Sequence, residues 1–282
     1  MKAPQLLTIG TAIFLVAIIY FFGRTTPYKN AVSTTDAHSH GTEGGSLTDT
    51  ILSMAKRQIS PEQVIRLTTL ENSISRGAVK DQQLKVYHQL AHFWGDTAGF
   101  FMPYAWYEAE AARLENSENS LTFAARLFLD NLQREQNPDF RRWEALQAKD
   151  LFERSLKIKP DNDSAKVGLG ACYLFGNISD MPMEGIQKIR EVVEKDSTNT
   201  YAHMMLAKAA VMSRQFDKAV SRLETIIRLN PADIDAILML ADVSEQTGDK
   251  QSAIKWYQAS LAIIKRPDMR MEIEKRVAEL KK

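Results

Sequence analysis

The sequence predicts an all-α protein of repeated helix pairs, preceded by one membrane-spanning helix. Three observations support this fold class. From Leu47 to the C-terminus apolar residues recur at helical spacing, without the sustained alternation that indicates strands. Glycine (13) and proline (9) are scarce among the 282 residues, which favours helix. A short pattern of small and large residues returns at an interval of 34 residues.

The composition limits the classes of partner. Lys and Arg number 36 and Asp and Glu number 35, so the net charge of +1 provides no broad field for a polyanion. We therefore expect no nucleic-acid partner. Hydrophobic residues make up 44% of the chain, enough to form a core. Cys172 is the single cysteine, which excludes an internal disulfide.

Residues 6–22 form an uncharged apolar run of 17 residues near the N-terminus. At about 1.5 Å rise per residue, a helix of this length just crosses the hydrocarbon core of a bilayer. Aromatic side chains end the run, where they suit the interface, and Arg24 follows as a charged stop. We predict an uncleaved anchor at 1–24. A cleaved signal peptide is the alternative, but the bulky Tyr-Phe-Phe end is a poor cleavage region.

A polar segment at 25–46 is predicted to be a flexible linker between the anchor and the helical domain. Its His38 and His40 form an H-x-H pair, which binds metal weakly without further ligands. Positive charges flank the apolar run on both sides, so orientation is poorly determined. A short N-terminal tail before a downstream domain favours export of that domain.

The repeated pattern places a small residue four positions before a large one, in a helix that a proline ends. In its earliest clear form the residues are Ala148, Phe152 and Pro160. The pattern recurs as Gly185 and Ile189, as Ala219, Leu223 and Pro231, and as Ala253 and Tyr257. Small residues allow the two helices of a hairpin to approach closely, and proline ends the second helix.

A second element precedes these helices: Leu169-Gly170 followed by Tyr173, then Leu206-Ala207 and Leu240-Ala241. Together the two elements resemble the tetratricopeptide repeat, in which L-G-x2-Y, A-x3-F and P recur every 34 residues. The resemblance implies a right-handed superhelical α-solenoid over residues 47–282. Its best repeats are 163–199, 200–233 and 234–267, and poorer ones precede them at 82–118 and 119–162.

Both ends of the stack are predicted to be covered by helices. Residues 47–78 are predicted to form a helical pair, in which Ser60 caps a helix that starts with Pro61. Residues 268–282 are predicted to form a C-terminal capping helix. Four of its residues are expected to face the stack: Met271, Ile273, Val277 and Leu280.

The resemblance also implies a partner-binding groove lined by the first helix of each repeat. Carried onto this chain, the groove residues are Val167, Ala171, Leu174, Phe175, Tyr201, Met204, Lys208, Met212, Asp235, Leu238, Asp242 and Glu245. This set is apolar in the middle and acidic towards the C-terminal end. It lacks the Lys and Asn clamp with which some family members hold acidic tails, so an amphipathic helix or hydrophobic peptide fits better. Alternatively, the protein's own N-terminal helices fill the apolar part.

The sequence offers little for catalysis. His88 and His92 are spaced to share a helix face, but no further ligand accompanies them. Cys172 lies in a predicted helix between small and aromatic residues, as a buried structural thiol does. We therefore predict no catalytic residue, no metal site and no cofactor.

These features predict a membrane-tethered tetratricopeptide scaffold that binds a protein or peptide partner and is not an enzyme. We expect single-pass attachment to a bacterial inner membrane, with the repeats on the extracytoplasmic side. The alternative is an assembly factor of the bacterial envelope, such as a helper in cytochrome maturation or outer-membrane assembly. The sequence leaves the oligomeric state open.

Overall fold

The computed structural model of the protein describes residues 43–76, 79–178 and 182–282. The predicted anchor at 1–24 lies outside the described residues, as does the linker up to residue 42. Within these ranges no strand occurs, which confirms the all-α class. The α-helices are α1 Glu43–Lys56, α2 Pro61–Arg76, α3 Lys80–His92, α4 Phe101–Glu115, α5 Glu118–Leu132, α6 Pro138–Ile158, α7 Asp163–Phe175, α8 Pro182–Lys195, α9 Thr200–Met212, α10 Phe216–Leu229, α11 Ile234–Gln246, α12 Lys250–Leu261 and α13 Pro267–Leu280.

Consecutive helices pack as hairpins: α3 with α4, α5 with α6, α7 with α8, α9 with α10, and α11 with α12. We call α5, α7, α9 and α11 the first helices and α6, α8, α10 and α12 the second helices. Each hairpin packs on the next, and the first helices also meet directly, α5 with α7 and α7 with α9. This arrangement is the repeated helix-pair stack that the 34-residue interval predicted.

Three of the first helices begin at the same kind of capping residue. Asn162, Asn199 and Asp233 precede α7, α9 and α11, and each side chain accepts a hydrogen bond from the backbone N–H three residues further on, at 2.9–3.0 Å. Such caps stabilise a helix start by about 1 kcal/mol each. Ser60 and Gln63 form a reciprocal capping box at α2, with distances of 3.2 and 2.9 Å, as the predicted helix start required.

The pattern residues of the second helices form the core between hairpins. Phe152, Ile189 and Leu223 are fully buried, and Tyr257 is 6% exposed. Burying such a side chain contributes roughly 1.5–3 kcal/mol. The small residues lie where helices come closest: a Cβ atom added to Gly185 would lie 2.5 Å from the carbonyl oxygen of Gly170 on α7.

The N-terminal helices pack on the first hairpins. The indole N–H of Trp143 on α6 donates to the Thr48 hydroxyl on α1 at 2.9 Å, and α1 also contacts α4. Helix α1 begins at Glu43, within the segment predicted as linker. In the described ranges no helix is both long enough and apolar enough to cross a bilayer.

The capping helix α13 differs from the prediction at one residue. Ile273 and Val277 are buried, and Leu280 packs with them. Met271 is 71% exposed, so its predicted contact with the stack is wrong. Met271 lies two residues from Ile273 and so on another side of the helix, whereas Met269, four residues from Ile273, packs against the core.

Candidate functional site: the surface of the first helices

The predicted groove residues lie on the first helices, but the structure does not expose them all. Val167 and Ala171 on α7 have no exposed surface, so the prediction that they line an open groove is wrong. Leu174, Phe175 and Met204 are half-buried and pack against the core. The middle of the predicted groove is therefore largely interior.

Two side-chain contacts connect α9 to the region of α5, two hairpins earlier. The Lys208 ammonium donates to the side-chain oxygen of Gln133, just after α5, at 2.6 Å. Tyr201 lies seven residues before Lys208 on α9, and the centre of its ring is 5.0 Å from the Arg126 guanidinium of α5. These two contacts join the first and third hairpins of 118–229. These contacts lie within the repeats, so they do not involve the N-terminal helices that the alternative named.

Burial shifts the pKa values of two polar side chains of α9 in this region, Tyr201 and Lys208. The Tyr201 hydroxyl is buried with no hydrogen-bond partner among the described residues, and burial raises its pKa. Burial lowers the pKa of the Lys208 ammonium, an effect that the charges of Asp235 and Asp130 oppose. Lys208 thus connects two helices of the protein through its bond to Gln133, and it is a poor candidate for a ligand contact.

The C-terminal part of the predicted groove is open. A cleft of about 580 Å³ lies between α11, α12 and α13. It is lined by two predicted groove residues, Leu238 and Asp242, and by residues that the sequence did not assign to the groove: Tyr257, Met269, Glu272, Ile273, Lys275, Arg276 and Glu279. Beside the cleft Asp235 is exposed on α11, and Met212 is 66% exposed at the end of α9.

A hydrogen-bond network holds the acidic side of this cleft. The Tyr257 hydroxyl donates to Asp242 at 2.5 Å and to Glu245 at 3.2 Å. Burial, followed by the hydrogen bond to Asp242, raises the pKa of that hydroxyl. Arg276 of the capping helix donates through Nε to Glu245 at 3.0 Å and through NH1 to Glu279 at 3.1 Å. Glu245 is therefore neutralised within the protein, whereas Asp242 meets a neutral donor.

The residues missed by sequence reasoning come from the second helix and the cap. Tyr257 occupies the large position of the repeat pattern, so it was interpreted only as core filling. Arg276 is four residues from Glu272, which places both on one side of α13, and this amphipathic spacing could have indicated a charged cleft wall.

The candidate metal and nucleophile residues lie apart from this cleft. His88 faces Glu108, with 3.4 Å between Nδ1 and Oε2, and His92 lies 2.9 Å from Asp96. In the part of the chain that the structure describes, no three His, Cys, Asp or Glu side chains are grouped to hold a metal. Cys172 is fully buried, and burial raises the pKa of its thiol, which disfavours the reactive thiolate.

Comparison with known proteins identifies the repeats. Residues 204–268 match the family described as tetratricopeptide repeat. No curated protein matches the chain significantly. Among solved structures, MamA 41-end from Desulfovibrio magneticus RS-1 is 19% identical, with a TM-score of 0.43 over 64% of this chain and 94% of that one.

Two further solved structures are similar at the same level. PilW, described as a widely conserved type IV pilus biogenesis factor, is 15% identical with a TM-score of 0.49, over 70% of this chain and 85% of that one. YrrB, described as a TPR protein with an unusual peptide-binding site, is 14% identical with a TM-score of 0.41, over 73% and 97%. Similarity at this level is no evidence of a shared partner.

Proposed function

The chain is a tetratricopeptide repeat protein, and from that premise we propose that it is a membrane-tethered scaffold that binds a segment of a partner protein in its C-terminal cleft. The observation that carries this proposal is the open cleft between α11, α12 and α13, which contains Leu238 and Asp242 of the predicted groove. The lining of the cleft mixes apolar and charged side chains, which suits recognition of a partner segment.

The side chains of the cleft define the partner that fits. Leu238, Met269 and Ile273 offer an apolar surface. Asp242 and Glu272 of the cleft make no ion pair within the described residues, and neither does exposed Asp235, three residues before Leu238. Of the two cations that line the cleft, Arg276 is paired with Glu245 and Glu279, whereas Lys275 is unpaired among the described residues. A partner helix with apolar residues on one face and Lys or Arg beside them would bury the first set and neutralise the second. Electrostatic attraction of this kind mainly sets orientation and association rate.

Site-specific photo-crosslinking in cells tests the proposal with the full-length chain. A photoreactive amino acid at Glu272, which lines the cleft, is expected to give a crosslinked partner. The matched control is Glu274, also exposed on α13 but not part of the cleft lining, where no such product is expected. The charge reversal Asp235→Lys at an exposed position, and Leu238→Glu in the cleft, should each reduce the yield from Glu272.

Equal products from Glu272 and Glu274, or a yield unaffected by both changes, would contradict binding at the cleft. A melting curve for Leu238→Glu separates lost binding from lost folding, because Leu238 is half-buried. The crosslinked species also distinguishes a general adaptor from an envelope assembly factor, since the two differ in their partner.

Membrane attachment is the second part of the proposal. Support comes from the uncharged 17-residue run at 6–22 and the charged stop at Arg24. The full-length chain, expressed in bacteria, is expected to stay in the membrane pellet after alkaline carbonate extraction, and a variant without residues 1–24 to be released. Alkaline phosphatase fused to the C-terminus should be active, because the repeats are proposed to be extracytoplasmic. A soluble full-length chain, or an inactive fusion, would contradict the respective claim.

A further inference from the structure

A second groove lies on the opposite side of the hairpins, between the second helices α8 and α10. It is lined by Met183, Ile186 and Arg190 of α8, by Leu206, Ala209 and Ala210 of α9, by Lys218 and Arg222 of α10, and by Ser213 and Gln215 in the turn between α9 and α10. The volume of this outer groove is about 160 Å³. It shares no residue with the C-terminal cleft.

The apolar part of the outer groove is unusually accessible. Met183 is 63% exposed at the start of α8, and Ile186 lies one turn further along the same helix. Ala209 and Ala210 form a floor without long side chains, so an incoming apolar residue can reach the backbone of α9. A surface of this kind loses water favourably when an apolar side chain covers it, at about 25 cal/mol per Å².

The charged part of the outer groove is entirely cationic. Among the residues that the structure describes, Arg190, Lys218 and Arg222 make no ion pair, and no carboxylate lines the outer groove itself. The nearest hydrogen bonds are to neutral atoms: Arg222 donates to Nδ1 of His203 at 3.2 Å, and Lys218 to Gln215 at 2.5 Å.

Arg222 and Arg190 line the same groove, where their like charges repel each other. Burial, and then the charge of Arg190, lower the pKa of Arg222. A carboxylate placed between the two guanidinium groups would relieve this repulsion and could accept paired hydrogen bonds from either of them.

We propose that the outer groove binds an amphipathic protein segment that carries carboxylates, with an apolar side chain on Met183, Ile186 and Ala209 and a carboxylate between Arg190 and Arg222. Polyanions such as nucleic acid or an anionic membrane surface fit less well, because Glu184, Glu191 and Glu194 lie along α8 next to the outer groove and repel an extended negative charge. A short peptide places its carboxylates only where the cations are.

This inference goes beyond binding at the C-terminal cleft. The two surfaces lie on different helices and have opposite charge preferences, acidic in the C-terminal cleft and basic in the outer groove. A scaffold with two such surfaces can hold two partners of different chemistry at once, which raises their effective concentration for each other.

Fluorescence anisotropy with designed probe peptides and the full-length chain in detergent tests the proposal. The probe is a fluorescein-labelled amphipathic peptide with leucines along one helical face and flanking glutamates. It is expected to bind saturably, and its counterpart with lysines in place of glutamates is not. A third peptide, with serines in place of leucines, should bind at least about tenfold more weakly than the probe, because the apolar floor then stays exposed.

Substitutions locate the binding. The double variant Arg190→Gln, Arg222→Gln is expected to weaken the probe's affinity at least about tenfold, in line with the loss of charge-assisted hydrogen bonds. Arg228→Gln is the matched control, since Arg228 is exposed on α10 outside the outer groove. Met183→Ser, at an exposed position, should also weaken binding of the probe. This substitution leaves the hydrogen bond between Arg222 and His203 in place. Leu238→Glu should leave binding unchanged, which separates this test from that of the C-terminal cleft.

Any of three results would overturn the proposal: no saturable binding of the acidic probe, wild-type affinity in the double arginine variant, or equal affinity for the serine peptide. Equal affinity for the serine peptide would show that the outer groove binds anions in general. Displacement of the labelled probe by polyphosphate more readily than by the unlabelled probe peptide would show the same.

Discussion

Replacing Gly185 with alanine is expected to lower the free energy of unfolding by about 2–3 kcal/mol, because it forces apart two helices whose backbones touch. The added Cβ would lie 2.5 Å from the carbonyl oxygen of Gly170, and 3.1 Å from atoms of Tyr173 and Leu174. A backbone oxygen cannot rotate away as a side chain can, so α8 must shift relative to α7. The shift would loosen Ile189 and Val192, which are buried in the same core. Alanine's better helix propensity, about 1 kcal/mol, offsets only part of this loss.

Chemical denaturation of Gly185→Ala and two companions measures the effect. Gly248→Ala is the control, because Gly248 has φ 82° but no atom within 4 Å of an added Cβ. Its free energy of unfolding should fall by about 1 kcal/mol, from backbone strain alone. Gly170→Ala meets the same contact from the other side, with 2.7 Å to the Gly185 oxygen, so the double variant should lose less than the sum of the singles. A loss for Gly185→Ala no larger than for Gly248→Ala would contradict the close-approach explanation.

The helix-pair stack was predictable because its determinants repeat in the sequence. A small residue at a fixed interval indicates where two helices come close together, and Ala219 and Ala253 are indeed fully buried. The large residue four positions later fills the space that each new hairpin leaves, as Leu223 does. Such short-range patterns are sufficient for a repeat fold, since every hairpin contacts only its neighbours.

The state of the binding surface was not predictable in the same way. Whether Val167 is open or covered depends on how closely the neighbouring first helices α5 and α9 pack against α7. The contacts that close it, from Lys208 to Gln133 and from Tyr201 to Arg126, join residues 75 positions apart, and long flexible side chains make them. No periodicity marks such pairs, so the resemblance located the surface but not its open part.

The open cleft depends on the cap in a similar way. The apolar periodicity of 268–282 predicted a helix on the stack, but not which side chains would meet α11. Arg276 and Tyr257 complete the cleft because the cap crosses Glu245 and Asp242 at that point. The angle of α13 is set by its packing on α12, because residues 268–282 do not continue the 34-residue pattern.

Glu144→Gln is expected to remove a marked pH dependence of stability. Glu144 lies fully buried on α6, and its Oε1 accepts a hydrogen bond from Asn131 at 2.6 Å, while Oε2 has no partner among the described residues. Burial raises the pKa of this carboxyl to about 8; the Asn131 hydrogen bond opposes the shift and the charge of Glu135 adds to it. At neutral pH the folded protein therefore holds a proton on Glu144.

The sign of the effect follows from proton counting. Between about pH 4.5, the value for an unperturbed carboxyl, and about pH 8, the folded state keeps a proton that the unfolded state has released. The contribution of Glu144 is therefore fully present below pH 4.5 and is lost as pH rises through 8, at up to about 1.4 kcal/mol per pH unit. Glutamine has the same shape and no proton to lose, and it keeps an oxygen for Asn131. Relative to the wild type, the free energy of unfolding of the variant should therefore rise by about 3 kcal/mol between pH 5 and pH 8.

Denaturation curves recorded from pH 5 to pH 8.5 for the wild type and for Glu144→Gln measure this difference directly. Glu224→Gln, at an exposed position of α10, is the control for the loss of one carboxylate and should run parallel to the wild type. If the Glu144→Gln curve also runs parallel, Glu144 is ionised in the folded protein, and the prediction of a buried, protonated carboxyl is wrong. A converging pair of curves at low pH and a diverging pair at high pH is the outcome that the buried, protonated carboxyl requires, because only that state couples folding to the uptake of one proton.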